Sequence, residues 1–367
     1  MRNSDTRTIW IFSLIIMAVG LVALYSASYE NVRVSRQVFY DQFLGAVVAA
    51  IVMYFLSRVH YRFFYDVAYI SYCLSLLLLL VVLISGRSAL GATRWFNVAG
   101  FSFQPSELSK IAVILLLARY FSSRNPRLSF DIRSSFYGLC RDLVYPFFLT
   151  ILSLGLIFKQ PDLGTAILIF GIFVAMVYAS GIERKVFFAF LGGCAALLYP
   201  GWHILKAYQR DRLLVFMNPN IDPLGAGYTI IQSRIAIGSG QMLGKGWLSG
   251  TQNQLNFLPE RHTDFIFSVV GEEWGFLGTI FLLLCYFVVI YTGVQVAARM
   301  KDKFGYLLAV GIITIMTLQV IINMSMTMGL SPVVGITLPF LSYGRTSFLV
   351  FAVMTGLLLN LSQKRSA

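Results

Sequence analysis

The feature that most restricts the fold is a succession of apolar runs, each long enough to cross a lipid bilayer as a helix. A helix needs about 20 predominantly apolar residues to cross a hydrocarbon core of roughly 30 Å, and isolated strands cannot satisfy their backbone groups there. Hydrophobic residues make up 57% of the chain and charged residues only 12%, and the apolar residues are grouped rather than alternating. The sequence therefore predicts an all-α polytopic membrane protein.

The runs predict about ten transmembrane helices in a single membrane domain over residues 1–367. The predicted spans are 8–27, 42–57, 64–84, 106–121, 144–159, 164–181, 185–205, 265–298, 304–329 and 346–361. The first run exceeds the apolar core of a usual signal peptide, so it is interpreted as an uncleaved span. Residues 200–263, rich in Gly and Pro, form the one long loop, between the seventh and eighth spans.

Positive charges set the orientation of the predicted spans. The formal net charge is +13, but the basic residues lie in short loops rather than in one patch, which argues against nucleic acid binding. With the N-terminus inside, the inner set is Arg58, Arg62, Arg119, Arg124, Arg127, Arg133, Arg141, Arg184, Lys185, Arg299, Lys301, Lys303, Lys364 and Arg365. The outer short loops hold fewer basic residues. The sequence therefore predicts that both termini are cytoplasmic and that the long loop is extracytoplasmic.

The first polar cluster at a predicted outer helix end contains three ionisable residues. Arg94 precedes a predicted helix in which Glu107 and Lys110 lie three residues apart, about one turn inside the apolar zone. In one interpretation the pair only neutralises its own burial. In the other, Lys110 and Arg94 offer cations to an anionic headgroup, because an ionisable residue within a span is by default a functional candidate.

Two further clusters lie at later outer helix ends. Lys159 and Asp162 belong to a tight hairpin, in which Asp162 is a natural cap for the next helix. Arg210 and Arg212 begin the long loop. They form either a solvated helix end or a phosphate site, because Arg binds phosphate in a bidentate manner.

The fourth cluster is Glu260-Arg261-His262-Thr263-Asp264, where polar sequence turns directly into an apolar run. The pattern predicts Thr263 as the N-cap of a helix and Asp264 in its first turn, at the membrane boundary. A stabilising first-turn carboxylate is the alternative to a catalytic one. Glu272 and Glu273, about two turns deeper, are predicted to be structural and to need partners from neighbouring helices.

Signature motifs of soluble enzymes do not occur in the sequence. It contains no GxSxG, Walker A, GxGxxG or HExxH pattern, so hydrolase, nucleotidase and dehydrogenase activities lack support. Carboxylates and cations gathered at one membrane face suit a lipid-linked phosphate substrate instead.

Five stretches together closely resemble the SEDS family (shape, elongation, division and sporulation). They are residues 104–107, 160–165, 234–240, 258–267 and 339–344, and they occur in the family's order across nearly the whole chain. The segment 260–264 resembles members that act in cell elongation more than those that act in division. Arg345 departs from the family, where a glycine usually stands, and it either touches substrate or lies at the membrane interface.

The resemblance implies a peptidoglycan glycosyltransferase that polymerises lipid II at the outer face of the bacterial cytoplasmic (inner) membrane. It also implies a class B penicillin-binding protein, a transpeptidase, as partner. By position, Asp264 matches the family's essential acidic residue, while Glu107, Lys110 and Asp162 match residues that line its outward-facing cavity.

Two roles for Asp264 follow from this expectation. It is either the general base for an acceptor hydroxyl or a ligand of a divalent cation, Mg²⁺ or Mn²⁺. A helix N-terminus would lower its pKa, whereas burial would raise it. Lys110, Arg210 and Arg212 are the candidates for stabilising the pyrophosphate leaving group.

Two alternatives to glycan synthesis remain. A flippase for lipid-linked precursors would also suit about ten helices, although transporters typically show internal repeats and interrupted helices that this sequence does not show. A non-enzymatic scaffold for a transpeptidase is the other alternative.

Overall fold

The computed structural model describes residues 2–29, 32–89, 92–98, 101–123, 140–205, 207–223, 225 and 227–363, and the described chain is overwhelmingly helical. The first seven helices are α1 Arg2–Ser28, α2 Val32–Arg58, α3 Arg62–Ser85, α4 Pro105–Ser122, α5 Tyr145–Lys159, α6 Leu163–Ala179 and α7 Arg184–Ala196. The others are α8 Leu198–Ile204, α9 Ala207–Met217, α10 Tyr228–Ser239, α11 Thr251–Gln254, α12 Ile266–Arg299, α13 Lys303–Thr327 and α14 Arg345–Gln363. The predicted all-α class is confirmed.

Eight of the described helical segments are long and apolar enough to cross a membrane, so the protein is a multi-pass membrane protein. The two other predicted spans are α4, which carries charged residues, and α6, which has only 17 residues. Both pack against several other helices, and α4 is buried along nearly its whole length. Arg124, Arg127, Arg133, Lys364 and Arg365, which contributed to the predicted orientation, lie outside the described residues.

Helices α13 and α14 form the centre of the bundle. The most apolar windows of these helices are 67% and 83% buried by other parts of the chain, against 17% for α2 and 6% for the segment spanning α7 and α8. Helix α14 packs along α2, α1 packs along α12, and α4 lies between α3 and α13. Polar side chains on α4 and α13 are therefore enclosed by protein rather than exposed to lipid.

A small antiparallel sheet precedes α4, in a stretch that the sequence predicted only as a loop. Its strands are β1 Arg87–Ala89, β2 Ala92–Val98 and β3 Phe101–Phe103, in the order β1-β2-β3. Strand β2 carries Arg94, and the sheet leads into α4 through Gln104, with Pro105 at the first helical position, where its missing N–H leaves no bond unmade. The sheet therefore fixes where Arg94 lies relative to α4.

The long segment 200–263 is folded into short helices rather than an extended loop. Helix α10 packs against α12 and buries Ile230, Ser233 and Ala236. The hydroxyl of Ser233 lies 2.7 Å from that of Ser268 on α12 and donates to the carbonyl of Thr327 on α13 at 2.6 Å. The segment is thus tied to two of the long helices.

Helix α12 is kinked at Gly275, whose φ of 64° and ψ of −160° are outside the helical region. The kink removes the helical bonds from Phe276 and Leu277 to the carbonyls of the two glutamates before it. The turn 241–246 takes their place. It accepts from the amides of Phe276 (2.8 Å) and Leu277 (3.2 Å), and it donates to the carbonyls of Glu272 and Glu273 (3.0 Å each). The segment thereby completes the backbone hydrogen bonding of α12.

Candidate active site

A cavity of about 650 Å³ lies where α4, α6 and α14 begin and where α13 ends. The acidic and basic residues of its lining come from five separate parts of the chain. They are Arg94, Glu107, Asp162, Arg212, Glu260 and Asp264. The structure thus brings together five of the eight residues that the sequence singled out as a site, and it adds Glu260.

Asp264 lies just before α12 and not in its first turn, so the predicted position was wrong. The helix begins at Ile266, and Phe265 occupies the N-cap position without a side-chain cap. Thr263 does not cap the helix either, because its hydroxyl donates back to the carbonyl and carboxylate of Glu260 at 3.3 Å each. The cause is a local turn in which Glu260 adopts a φ of 50°. Asp264 is consequently held by a loop and faces the cavity.

The pKa of Asp264 is raised from 3.8 to about 7, and burial is the largest cause. The carboxylates of Glu260 and Asp162 contribute to this rise, whereas the guanidinium groups of Arg212 and Arg94 oppose it. Part of the side chain is open to the cavity, but the protein around the cavity limits its hydration. Of the two effects expected from the sequence, the structure shows burial, and Asp264 does not lie in the first turn of α12.

Asp162 is both a helix cap and a cavity residue. Its carboxylate caps α6 by accepting from the amide of Thr165 at 3.2 Å and from its hydroxyl at 3.0 Å. It also accepts from Gln104 and Ser106, both at 3.1 Å. Arg94 lies 4.0 Å away and donates its Nε to the carbonyl of Gln160 at 2.9 Å. The two interpretations of Asp162 are therefore compatible.

Glu107 and Lys110 form an ion pair of 2.7 Å on α4. Only Glu107 lines the cavity; Lys110 is fully buried behind it. The Lys110 ammonium also lies 3.4 Å from the side-chain oxygen of Gln319 and 5.7 Å from the centre of the Phe351 ring. Lys110 therefore acts on the cavity through Glu107 and Gln319 rather than by direct contact.

Arg212 brings a second cation to the cavity, and its Nη1 donates to the carbonyl of Val333 at 3.3 Å. Arg210, two residues earlier, does not line the cavity. It donates to the carbonyl of His203 at 2.8 Å and lies 6.0 Å from the Trp202 ring centre. Lys159, at the end of α5, is exposed and also lies outside the cavity lining.

Some functional candidates could not be recognised from sequence position alone. Glu260, Gln319 and Tyr343 line the cavity but were not singled out as site residues. The partner of Glu272 is Lys245 of the long segment, at 2.7 Å, and not a neighbouring helix as predicted. Arg345 forms an ion pair with Asp41 on α2, which places its charge at a helix–helix contact. Among these residues, only Glu260 had a sequence signal that could have identified it, because it belongs to the Glu-Arg-His-Thr-Asp motif.

Chemically, the cavity combines a proton acceptor with two cations. A carboxyl group whose pKa is about 7 exchanges its proton near neutral pH, which suits a general base. Arg94 and Arg212 can stabilise negative charge that develops on a phosphate group beside it. The arrangement suits the transfer of a group from a phosphate leaving group to a hydroxyl.

Comparison with known proteins gives matches along nearly the whole chain. The family profile FTSW_RODA_SPOVE, described as cell cycle protein, matches residues 6–367. The chain is 36% identical over 377 residues to peptidoglycan glycosyltransferase MrdB of Escherichia coli (strain K12), covering 99% of this chain and 97% of the relative. It is 35% identical over 368 residues to stage V sporulation protein E of Bacillus subtilis (strain 168), covering 99% and 98%.

Two solved structures are similar to this one over almost their whole length. One comes from a study of the structural coordination of polymerization and crosslinking by a peptidoglycan synthase complex; the TM-score is 0.80 at 30% identity, covering 96% of both chains. The other is the rod shape determining protein RodA of Thermus thermophilus, with a TM-score of 0.70 at 27% identity, covering 98% of this chain and 97% of that one.

Proposed function

The chain belongs to the FtsW/RodA/SpoVE family of cell cycle proteins, and we propose that it is a peptidoglycan glycosyltransferase of cell elongation, the RodA type. The family that the motifs predicted is thereby confirmed. Relatives named peptidoglycan glycosyltransferase match it over nearly their full length, in agreement with the predicted enzyme class.

The proposed reaction joins two lipid II molecules. The 4-hydroxyl of the acceptor's N-acetylglucosamine attacks C1 of the donor's N-acetylmuramic acid. A glycosidic C–O bond forms, the C–O bond to the pyrophosphate breaks, and undecaprenyl pyrophosphate leaves. The hydroxyl proton passes to the carboxylate of Asp264. General base catalysis of this kind contributes about 10² to 10⁴ in rate.

One observation carries this assignment: the carboxyl group of Asp264 has a pKa of about 7 and lines the same cavity as Arg94 and Arg212. The base can then act on the attacking hydroxyl while the cations stabilise the pyrophosphate leaving group in the same displacement. Arg94 and Arg212 receive the pyrophosphate charge, and Glu107 and Asp162 shape the polar wall. Lys159 and Arg210, which lie outside the lining, are assigned no contact with the reacting atoms.

The alternative role for Asp264 is to bind a divalent cation, Mg²⁺ or Mn²⁺. Within the described part of the chain, no three His, Cys, Asp or Glu side chains converge on one point. An ion beside Asp264 would therefore draw most of its ligands from the substrate pyrophosphate and water, as Mg²⁺ often does in phosphate sites. Such an ion would supply Lewis acid stabilisation of the leaving group.

The cavity faces the outer leaflet of the bacterial cytoplasmic membrane in this proposal. The inner loops are the more basic ones, which supports cytoplasmic termini and an outward-facing long segment. A transpeptidase, a class B penicillin-binding protein, is the proposed partner. One of the two similar solved structures comes from a peptidoglycan synthase complex that coordinates polymerization and crosslinking. This similarity supports a transpeptidase as partner.

Polymerisation of labelled lipid II by the purified full-length chain tests the function. We expect glycan strands from the wild type and none from Asp264→Asn, with both proteins equally folded. Asp222→Asn is the matched control, since Asp222 is exposed in the same segment and lies outside the cavity lining. Substantial glycan synthesis by Asp264→Asn would remove both the base and the ligand role.

Metal dependence separates the two roles of Asp264. Titration of Mg²⁺ or Mn²⁺ against activity at several pH values would show whether the proton-linked step requires the ion. Movement of labelled lipid II across vesicles that contain the chain, without glycan formation, would favour the flippase alternative. A chain that is inactive in both assays yet retains a transpeptidase would favour the scaffold.

A further inference from the structure

The backbone that carries Asp264 is anchored from outside its own helix. Three consecutive carbonyl groups, those of residues 262–264, accept hydrogen bonds from the C-terminal part of the chain. The bonds are Tyr343 N to His262 O (2.9 Å), Ser342 Oγ to Thr263 O (2.6 Å) and Asn323 Nδ2 to Asp264 O (2.9 Å). Helix α12 supplies none of these three donors.

Helix α12 could have held the carbonyl of Asp264 only if it began one residue earlier, with Asp264 as its N-cap. The amide of Ser268 would then reach the carbonyl of Asp264, but it donates to Phe265 instead, at 3.0 Å. The carbonyl of Asp264 therefore depends on a side chain, and that side chain is Asn323 of α13, which is fully buried. A partly buried backbone carbonyl that lost its partner would cost free energy.

Asn323 uses both hydrogens of its amide group. One goes to Asp264, and the other goes to the carbonyl of Ile336 at 2.6 Å. One turn earlier on α13, Gln319 donates to the neighbouring carbonyl of Thr337 at 3.2 Å. Asn323 thus joins the loop that carries the carboxylate to the segment 333–337, which forms another wall of the cavity.

The distance between these two walls is short. Gly335 has a φ of 71°, and a Cβ built on it would lie 3.4 Å from Oδ2 of Asp264. The carboxylate and the segment that Asn323 holds are therefore close enough that one added methyl group at residue 335 would bring them into van der Waals contact. A loss of the Asn323 bridge would let the two walls shift relative to each other.

We propose that Asn323 is a positioning residue for the reaction, with Ser342 in a supporting role, because together they set where the carboxylate of Asp264 lies in the cavity. Neither residue acts on the substrate directly in this proposal. The inference rests on the proposed function, in which Asp264 accepts a proton. A misplacement of about 1 Å in a reacting group can lower a rate by about 10².

Asn323→Leu tests the proposal because leucine has a similar size but donates no hydrogen bond. We expect kcat for lipid II polymerisation to fall by about 10- to 100-fold, with KM changed by less than about 2-fold. Asn360→Leu is the matched control. Asn360 is also buried, and its amide donates to the carbonyls of Leu56 (3.0 Å) and Ser57 (3.1 Å), outside the cavity lining. It should lose stability without losing kcat.

Ser342 supplies an independent pair of variants in case Asn323→Leu does not fold. Ser342→Ala removes the hydroxyl that holds Thr263, and we expect a fall in kcat without a matching rise in KM. Ser342→Thr keeps the hydroxyl and should restore kcat, which a purely steric role would not predict. Equal kcat values for Ser342→Ala and wild type, or for Asn323→Leu and Asn360→Leu at matched folded fractions, would overturn the proposal.

Amide hydrogen exchange over residues 262–268 reports on the same anchor without activity. We expect faster exchange there in Asn323→Leu and unchanged exchange in Asn360→Leu. If the wild type makes no glycan, the proposed function fails, while exchange still tests the anchor. If the wild type is active and exchange in Asn323→Leu is unchanged, the positioning role fails alone.

Discussion

The carboxylate of Glu272 accepts a hydrogen bond from the ammonium group of Lys245 at 2.7 Å, which links the long segment to the second turn of the helix that follows it. Glu272 is fully buried and also accepts from the amide of Gln252 at 3.0 Å and from the hydroxyl of Thr251 at 3.1 Å. The neighbouring Glu273 accepts from Asn253 of the same segment at 3.3 Å. The segment is therefore a fixed part of the fold.

Replacing Lys245 by methionine should destabilise the protein by about 1–3 kcal/mol, because it leaves the buried carboxylate of Glu272 without its cation. The Lys245 side chain is 27% exposed, so water offsets part of the loss. Thermal unfolding of the purified protein measures the change. The double variant Lys245→Met/Glu272→Gln should recover most of the stability. No recovery would mean that the two residues do not act as a pair.

The activity should increase with pH through about 7, because Asp264 must be ionised to accept a proton and its pKa is about 7. His262 does not cause this increase in activity near pH 7, since burial and the neighbouring Arg261 lower its pKa to about 4. The dependence of kcat/KM on pH, measured with labelled lipid II, checks the expectation. A flat profile between pH 5 and pH 8 would contradict it.

Removing single charges near Asp264 should move that profile in opposite directions. Glu260→Gln takes away a negative neighbour, so the pKa of Asp264 should fall and the activity should rise at lower pH. Arg212→Gln takes away a positive neighbour, so the pKa of Asp264 should rise and the increase in activity should move to higher pH. The same substitution should also weaken the stabilisation of the pyrophosphate. Shifts in the same direction for both variants would rule out this electrostatic account.

Stability should depend on pH in the opposite sense to activity. The pKa of Asp264 is raised in the folded state, so the folded protein binds its proton more tightly than the unfolded chain does. This contribution is fully present below about pH 4 and is lost as the pH rises through about 7. The wild type should therefore lose more stability over that range than Asp264→Asn does, as measured by thermal unfolding.

Lys110→Met should be among the most disruptive substitutions in the bundle. It leaves the carboxylate of Glu107, which is paired with Lys110 at 2.7 Å, without a cation in a buried site, at a cost of about 3–5 kcal/mol. Glu107→Gln in the same chain should restore much of the thermal stability. Lys301→Met, at an exposed position, is the control and should change the unfolding temperature little.

Gly275→Ala should loosen the junction between α12 and the long segment. The residue has a φ of 64°, and an added Cβ would collide with the backbone nitrogen of Gly244, so we expect a loss of about 1–3 kcal/mol. Gly192→Ala is the matched control, because Gly192 lies in a helix and a Cβ there meets nothing within 4 Å. Equal unfolding temperatures for the two variants would contradict the close approach seen at Gly275.

Local sequence patterns were sufficient for the helices and for most of the site. Lipid-length apolar runs predicted the long helices to within a few residues at most ends. Helix α2 is an exception: it begins at Val32 rather than near residue 42, because its polar first turns remain helical before the apolar part starts. Polar residues at the ends of apolar runs likewise predicted Arg94, Glu107, Asp162, Arg212 and Asp264 as site candidates, and the structure places all five around one cavity.

Other features escaped prediction because they depend on contacts between distant parts of the chain. Arg210 and Arg212 are both arginines and lie two positions apart, yet of the two only Arg212 lines the cavity. Lys245 lies in a glycine-rich stretch with no periodic pattern, and its partner Glu272 lies 27 residues later in the chain. Asn323 is an ordinary polar residue within an apolar helix until the carbonyl of Asp264 is placed beside it.

The sequence by itself determined that this chain is a helical membrane protein of the SEDS family, and that a carboxylate at residue 264 lies next to an apolar helix. Apolar length and motif order are local properties, so they can be read from the chain directly. Only the tertiary structure decided that Asp264 precedes α12, that burial raises its pKa to about 7, and that Asn323 and Ser342 hold its loop. Those outcomes depend on which residues far apart in sequence exclude water from one another or meet within hydrogen-bonding distance.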